Sequence, residues 1–185
     1  MLFRSITTAE ERKVLYSYDP LSRLFAKDVY TYVDSTWEKE PRVFYLYDQD
    51  REIGTLDEEG HIRDLKVLGL GIREDIGAAI ALEIGGGVYA PLHDFNGNII
   101  AIVSPEGSIV EKYKIDAFGK EETLSSPLNP WRFSSKRSEE QLVFYGLRFY
   151  DPTLGRWLSP DPAGFIDGAN LYVFVQNNPI NRLDL

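Results

Sequence analysis

The sequence predicts an all-β fold of successive antiparallel hairpins, and three observations predict it. Eleven Tyr, ten Phe and three Trp stand among 185 residues, and such side chains suit a pleated, half-buried surface while their bulk disfavours helix. Many lie in alternating runs, each closed by a turn signal of Asp, Gly, Pro or Asn. One run leads to the next with no helix between them, which makes the architecture antiparallel.

The elements follow in order. Lys13-Val14-Leu15-Tyr16-Ser17-Tyr18 turns at Asp19-Pro20-Leu21-Ser22 and resumes at Arg23-Leu24-Phe25. Arg42-Val43-Phe44-Tyr45-Leu46-Tyr47 turns at Asp48-Gln49-Asp50-Arg51 into Glu52-Ile53. Val88-Tyr89-Ala90-Pro91-Leu92-His93 turns at Asp94-Phe95-Asn96-Gly97 into residues 98–103, and Asn-Gly between apolar runs is the strongest hairpin signal in the chain. Ser104-Pro105-Glu106-Gly107 opens residues 108–115, and Asp116-Ala117-Phe118-Gly119 turns the chain again. Residues 142–150 form the last long run, which enters Asp151-Pro152-Thr153-Leu154-Gly155 and Arg156-Trp157-Leu158. An Asp opening such a turn accepts a backbone N–H two residues on, and Gly supplies the positive φ that closes it. The Asp units at 19, 48, 94, 116 and 151 are unequally spaced, so they are related hairpins and not a strict solenoid repeat.

Two segments interrupt this pattern. Ser125-Ser126-Pro127-Leu128-Asn129-Pro130 reads as a loop, and from Pro160 onward the chain is rich in Pro, Asn and Gly. Within that tail Leu171-Tyr172-Val173-Phe174-Val175 is either a short helix capped by Asn170 or a buried strand, since five residues do not fix a period. The expected division is therefore residues 1–124 as hairpins and 125–185 as a terminal segment with a short irregular or helical end.

Composition removes several functions. The net charge of −9 argues against a nucleic-acid partner, because phosphate recognition runs on clustered Lys and Arg. With no Cys there is no disulfide framework or thiolate zinc site, and two His leave little for a histidine metal centre. No cofactor is expected. The start, Met1-Leu2-Phe3-Arg4-Ser5, has no apolar signal core. The greasiest stretch, residues 76–90, carries Glu83 and several glycines and is short of the about 20 apolar residues a span requires.

Short motifs yield little. Gly69-Leu70-Gly71-Ile72-Arg73-Glu74 lacks the third glycine of a dinucleotide loop and reads as a turn. Asp48, Asp50, Glu52 and Glu59 imitate a calcium loop, but Ile53 stands where that loop needs glycine. His93 beside Asp94 suggests a base with its orienter; no serine motif accompanies them, and a Tyr precedes the Asp in sister units, so His93 is read as a structural aromatic.

The C-terminal stretch is of another order. Phe144-Tyr145-Gly146-Leu147-Arg148-Phe149-Tyr150-Asp151-Pro152-Thr153-Leu154-Gly155-Arg156-Trp157-Leu158-Ser159-Pro160-Asp161-Pro162 resembles the core signature of Rhs/YD-repeat proteins. So does Asp167-Gly168-Ala169-Asn170-Leu171-Tyr172-Val173-Phe174-Val175-Gln176-Asn177-Asn178-Pro179. Residues 92–119 look like a preceding pair of YD repeats and residues 18–24 like an earlier one, so the similarity covers nearly the whole chain. The resemblance implies a segment of a hollow β-shell that encloses a C-terminal toxin, ending in the Rhs-associated core as its plug. It also implies self-cleavage by one arginine and two aspartates, which by motif position are Arg148, Asp161 and Asp184. Paired carboxylates suit such work because one keeps its proton as acid while the other activates water, and an arginine steadies the developing oxyanion. Asp161 and Asp184 can meet only if the tail doubles back, and Asn177-Asn178-Pro179 offers the reversal. Active members of that family continue from the second aspartate as Asp-Pro-x-Gly-Leu and are cut after the leucine. Here Leu185 follows Asp184, so the expectation for this polypeptide is a remnant site without turnover: a truncated frame, a partial chain, or a core that completes another chain.

Three functions follow in order. The first is a structural shell segment whose partners are the remaining shell strands and an enclosed toxin; its unpaired strand edges make it self-associate, and a monodisperse monomer by sedimentation speaks against that. The second is an autopeptidase active once extended downstream. The third is a carbohydrate-binding surface, since exposed Tyr and Trp can stack on sugar rings. Export is common in the family, although no targeting signal is visible in the sequence.

Overall fold

The computed structural model describes residues 3–9, 12–69, 79–122, 127–182 and 184. The glycine pair's turn at 69–74 and the start of the 125–130 loop therefore lie largely outside the described residues. The chain divides into two compact units, Met1–Lys66 and Val67–Leu185, and both are antiparallel β, as the aromatic-and-turn pattern predicts.

The first unit holds β1 (Phe3–Ala9), β2 (Arg12–Tyr18), β3 (Leu24–Val33), β4 (Thr36–Lys39), β5 (Val43–Asp48), β6 (Arg51–Leu56) and most of β7 (Ile62–Leu68). Strands pair with their sequence neighbours, except that β4 folds back on β3 as a projecting hairpin and β5 returns to β3 at Ala26↔Phe44 and Lys27↔Val43. One face buries Val14, Tyr16, Val29, Val43 and Tyr45, and the other buries Leu24 and Ala26. Gly54 of β6 lies opposite Leu65 of β7, and any Cβ there would strike the Asp64 carbonyl oxygen. Glycine is needed at this position because two backbones approach closely.

In the second unit β8 (Ala79–Ile84), β9 (Gly87–His93), β10 (Ile99–Val103) and β11 (Ile109–Lys112) form a meander. Its core gathers Ala79, Leu82, Ile84, Ile99, Ile102, Tyr113 and Trp131. Then β12 (Arg137–Glu139), β13 (Leu142–Phe144), β14 (Phe149–Asp151) and β15 (Arg156–Trp157) form a small sheet. Above it Phe133, Tyr150, Trp157 and Phe174 pack ring on ring, with the Tyr150 and Phe174 centroids 4.3 Å apart. Such aromatic pairs add about 0.5–1.5 kcal/mol each beyond area burial, which suits a sheet whose strands are only two or three residues long.

Residues 142–150 are not one strand. The chain breaks after Phe144, where Gly146 takes φ 88° and the Tyr145 N–H donates to the Arg148 carbonyl at 3.0 Å. The tail is irregular, with 3-10 turns at Gly164–Asp167 and Val175–Asn177. The 171–175 block is neither helix nor strand: Val173 makes a single bridge to Arg156, Phe174 enters the aromatic core, and the chain then turns. Among the described residues no helix is long and apolar enough to cross a membrane.

Candidate functional site

The site is built from the turn that closes the hairpins. At Asp94 one carboxylate oxygen accepts the N–H of Asn96 and of Asn98, the Asp94 N–H donates to the Asn98 carbonyl, and Gly97 N–H donates to the Asp94 carbonyl. The same frame stands at Asp57 and Asp116, and at Asp19, where Ser22 takes the glycine's place at φ 64°. Asp48 departs from it, pairing with Arg51 across Gln49-Asp50. The frame occupies the first carboxylate oxygen and leaves the second for a side chain: Arg23 at Asp19, His61 at Asp57, Asn98 at Asp94. The turn thus orients a carboxylate without using it up.

Asp161 opens a variant of this frame. Its Oδ1 accepts the Ala163 N–H at 2.8 Å and its carbonyl accepts the Gly164 N–H at 3.0 Å, while its own N–H donates to the Leu171 carbonyl at 3.0 Å. No neighbour in the turn takes the second oxygen. Arg148 does, with Nη1 2.9 Å from Oδ2. The Nη2 of the same guanidinium lies 4.0 Å from Asp184 Oδ2.

The tail that carries Asp184 is folded back in steps. The Trp157 backbone N–H donates to the Tyr172 carbonyl, laying residues 171–173 beside 156–161. Val175, Gln176 and Asn177 then take positive φ, and the Asn178 carbonyl accepts the N–H of Asn181 and of Arg182. This is the reversal expected at Asn177-Asn178-Pro179. All three sequence-chosen residues, Arg148, Asp161 and Asp184, consequently line one cavity of about 340 Å³, together with Trp157, Gln176 and Arg182. Their side chains are 14%, 21% and 33% exposed, so the charges are partly dried yet reachable. Sequence reasoning missed Trp157, whose ring centroid lies 3.9 Å from the Arg148 guanidinium carbon, and Arg182. Tyr145 lies alongside; burial chiefly, and the Asp184 charge in addition, push its phenol well above the ordinary value.

The other candidates resolve as structure. Glu52 of the calcium-like stretch is buried with its carboxylate 3.8 Å from the Lys66 ammonium. Asp57, Glu59 and His61 gather their ligand atoms at the surface, with Asp57 occupied in its turn. His93 is half-buried, its Nε2 has no hydrogen-bond partner among the described residues, and burial lowers its pKa against the opposing pull of Asp94. A histidine depressed in the folded state costs stability on protonation, so its contribution is full above the unfolded value of about 6.5 and drains as pH falls through it. His93→Tyr is expected to flatten the change in urea midpoint between about pH 7.5 and pH 5; an unchanged slope removes the assignment.

No family model matches the chain. It is 54% identical over 54 residues to the toxin subunit YenC2 of Yersinia entomophaga, which is 29% of this chain and 6% of that protein. It is 34% identical over 94 residues to RhsB of Dickeya dadantii, 48% of this chain and 6% of that protein. The crystal structure of TcdB2-TccC3 without the hypervariable C-terminal region superposes with a TM-score of 0.71 and 26% identity, covering 98% of this chain and 9% of that one. The chain therefore spans under a tenth of each of these proteins. The chain thus shares its hairpin fold with TcdB2-TccC3 and a motif run with YenC2 and RhsB, consistent with its resemblance to the Rhs/YD-repeat family.

Proposed function

We propose that this chain is a wall segment of a toxin-enclosing Rhs shell, with residues 1–124 as shell hairpins and residues 125–185 as the core that carries a self-cleavage site. The observation behind the second half is the single guanidinium of Arg148 set between Asp161 at 2.9 Å and Asp184 at 4.0 Å. Asp161, held rigidly by its turn and by Arg148, is the carboxylate suited to take a proton from water as it adds to a peptide carbonyl. Asp184, more exposed and more loosely paired, is suited to deliver a proton to the departing amide nitrogen, while Arg148 and Arg182 steady the oxyanion. The C–N bond breaks, water supplies the hydroxyl and one proton, and the dyad's proton inventory is restored.

The test is a fusion that continues the chain after Asp184 as Pro-x-Gly-Leu followed by a reporter domain. Release of the reporter is expected, with Asp161→Asn slowing it by about 10²–10⁴-fold, the usual contribution of a positioned acid or base. A fusion that stays intact leaves the wall reading and removes the hydrolytic one.

A second reading has one observation in its favour. Tyr32 and Trp37 pair across the β3–β4 hairpin with centroids 5.1 Å apart, and both are more than two-fifths exposed. That is a surface on which a sugar ring can stack. Silence of the chain on a glycan array disposes of it.

A further inference from the structure

We infer that Trp157 is a positioning residue: its indole face holds the Arg148 guanidinium in the plane from which one nitrogen meets Asp161 and the other turns to Asp184. This rests on the proposed reading of those three charges as a hydrolytic site. Arg148 is the last residue of the turn at residues 145–148, so its backbone is not clamped in a strand interior. An arginine there has several rotatable bonds and no backbone reason to choose one direction. The ring supplies the choice. The guanidinium carbon sits 3.9 Å from the Trp157 centroid, close even for a cation–π contact, which extends to about 6 Å.

The ring itself is fixed. Trp157 is 2% exposed in β15, opposite Tyr150, and its backbone N–H donates to the Tyr172 carbonyl. Tyr145, Tyr150 and Phe174 press on it with centroids 5.1–5.6 Å away. Four side chains thus convert a flexible cation into an oriented one. A guanidinium whose carbon is held over a ring face keeps its N–H groups available at its rim, which is what two carboxylates beside it require.

A Trp that merely fills the core lowers stability without touching the Arg148–Asp161 interaction, and a double-mutant cycle separates the two roles. Arg148→Gln and Asp161→Asn, singly and together, are made in the full chain and read by urea unfolding with pulse proteolysis at low concentration. Coupling of about fivefold in the unfolding constant is expected with Trp157 present, and again in Trp157→Phe, which keeps a π face. In Trp157→Leu the coupling is expected to fall to within about 1.5-fold of unity. Should the leucine variant fail to fold, stepwise fluorination of the Trp157 ring keeps its shape while draining its face, and coupling is expected to decline with each fluorine. Coupling that persists in Trp157→Leu or along the fluorinated series overturns the inference, as does its absence with native Trp157. Because the cycle reads an ion pair and not cleavage, an inert reporter fusion removes the hydrolytic proposal without deciding this one.

Discussion

Trp131→Ala is expected to destabilise the second unit by about 4 kcal/mol, within the range for removing a fully buried Trp. The ring is 0% exposed in a core with Leu82, Ile84, Ile99, Ile102 and Tyr113. Its backbone is fastened on both sides by Asn129, whose Oδ1 accepts the Trp131 N–H at 3.0 Å and whose Nδ2 donates to the Trp131 carbonyl at 2.6 Å. These bonds prevent the segment from sinking into the space left by the ring, so the cavity persists and its cost is not relaxed away. A second loss follows: the Arg137 guanidinium, on a residue 4% exposed, lies 4.6 Å from the ring centroid and would keep its charge without that face. With a urea dependence of about 2 kcal/mol per molar, the midpoint should drop by about 2 M. A drop below about 0.5 M would mean that the core closes over the gap.

Gly119→Val is expected to cost a similar amount, about 4 kcal/mol, for a different reason. Gly119 closes the Asp116 turn at φ 87°, a conformation that is strained for any β-branched residue, at about 1–3 kcal/mol. A Cβ placed there would also stand 2.6 Å from the Phe133 ring. Phe133 cannot yield, since it packs on Tyr150 and Phe174 with both centroids 5.9 Å away, and overpacking adds about 1–3 kcal/mol. Gly107→Val is the control. It has nearly the same φ, 84°, but nothing lies within 4 Å of its would-be Cβ, so only the backbone share should appear in its unfolding midpoint. Equal losses at the two glycines would show that the ring contact carries no weight.

How far the sequence predicts this molecule depends on which residues carry the information. The Asp units were legible because Asp and Gly act within five residues, where chain geometry alone decides. The hairpin β3–β4 was not: its turn is Asp34-Ser35, at φ 47° and 67°, and neither residue announces a left-handed turn as Asn-Gly does. Strand β12 carries no strand signal in the sequence, because Arg137 and Glu139 are buried in place of the apolar residues that pattern needs. The frame at Asp57 is filled with Glu58 and Glu59 and lacks the apolar residue that lies inside the units at Asp19, Asp94 and Asp116. Arg148 and Asp161 could be chosen from their motif, yet the setting of Arg148 could not. Alternation continues through residues 142–150, and only Gly146 marks the break that puts Arg148 at the end of a turn and over Trp157. That contact, like the return of Asp184, depends on where distant segments are stacked by the aromatic core, and no local pattern encodes it.

The turn at Asp161 makes its architectural role separable from its charge. Its fold-keeping oxygen accepts the Ala163 N–H, and the amide oxygen of an asparagine can do the same. One such exchange would then remove the charge that meets Arg148, and with it any chemistry that rests on the pair, while the turn itself stays closed. At Asp19, Asp57 and Asp94 the same frame hands its second oxygen to Arg23, His61 and Asn98 instead, so a single turn design serves both as a plain hairpin closure and as the mount of a carboxylate aimed at a distant arginine.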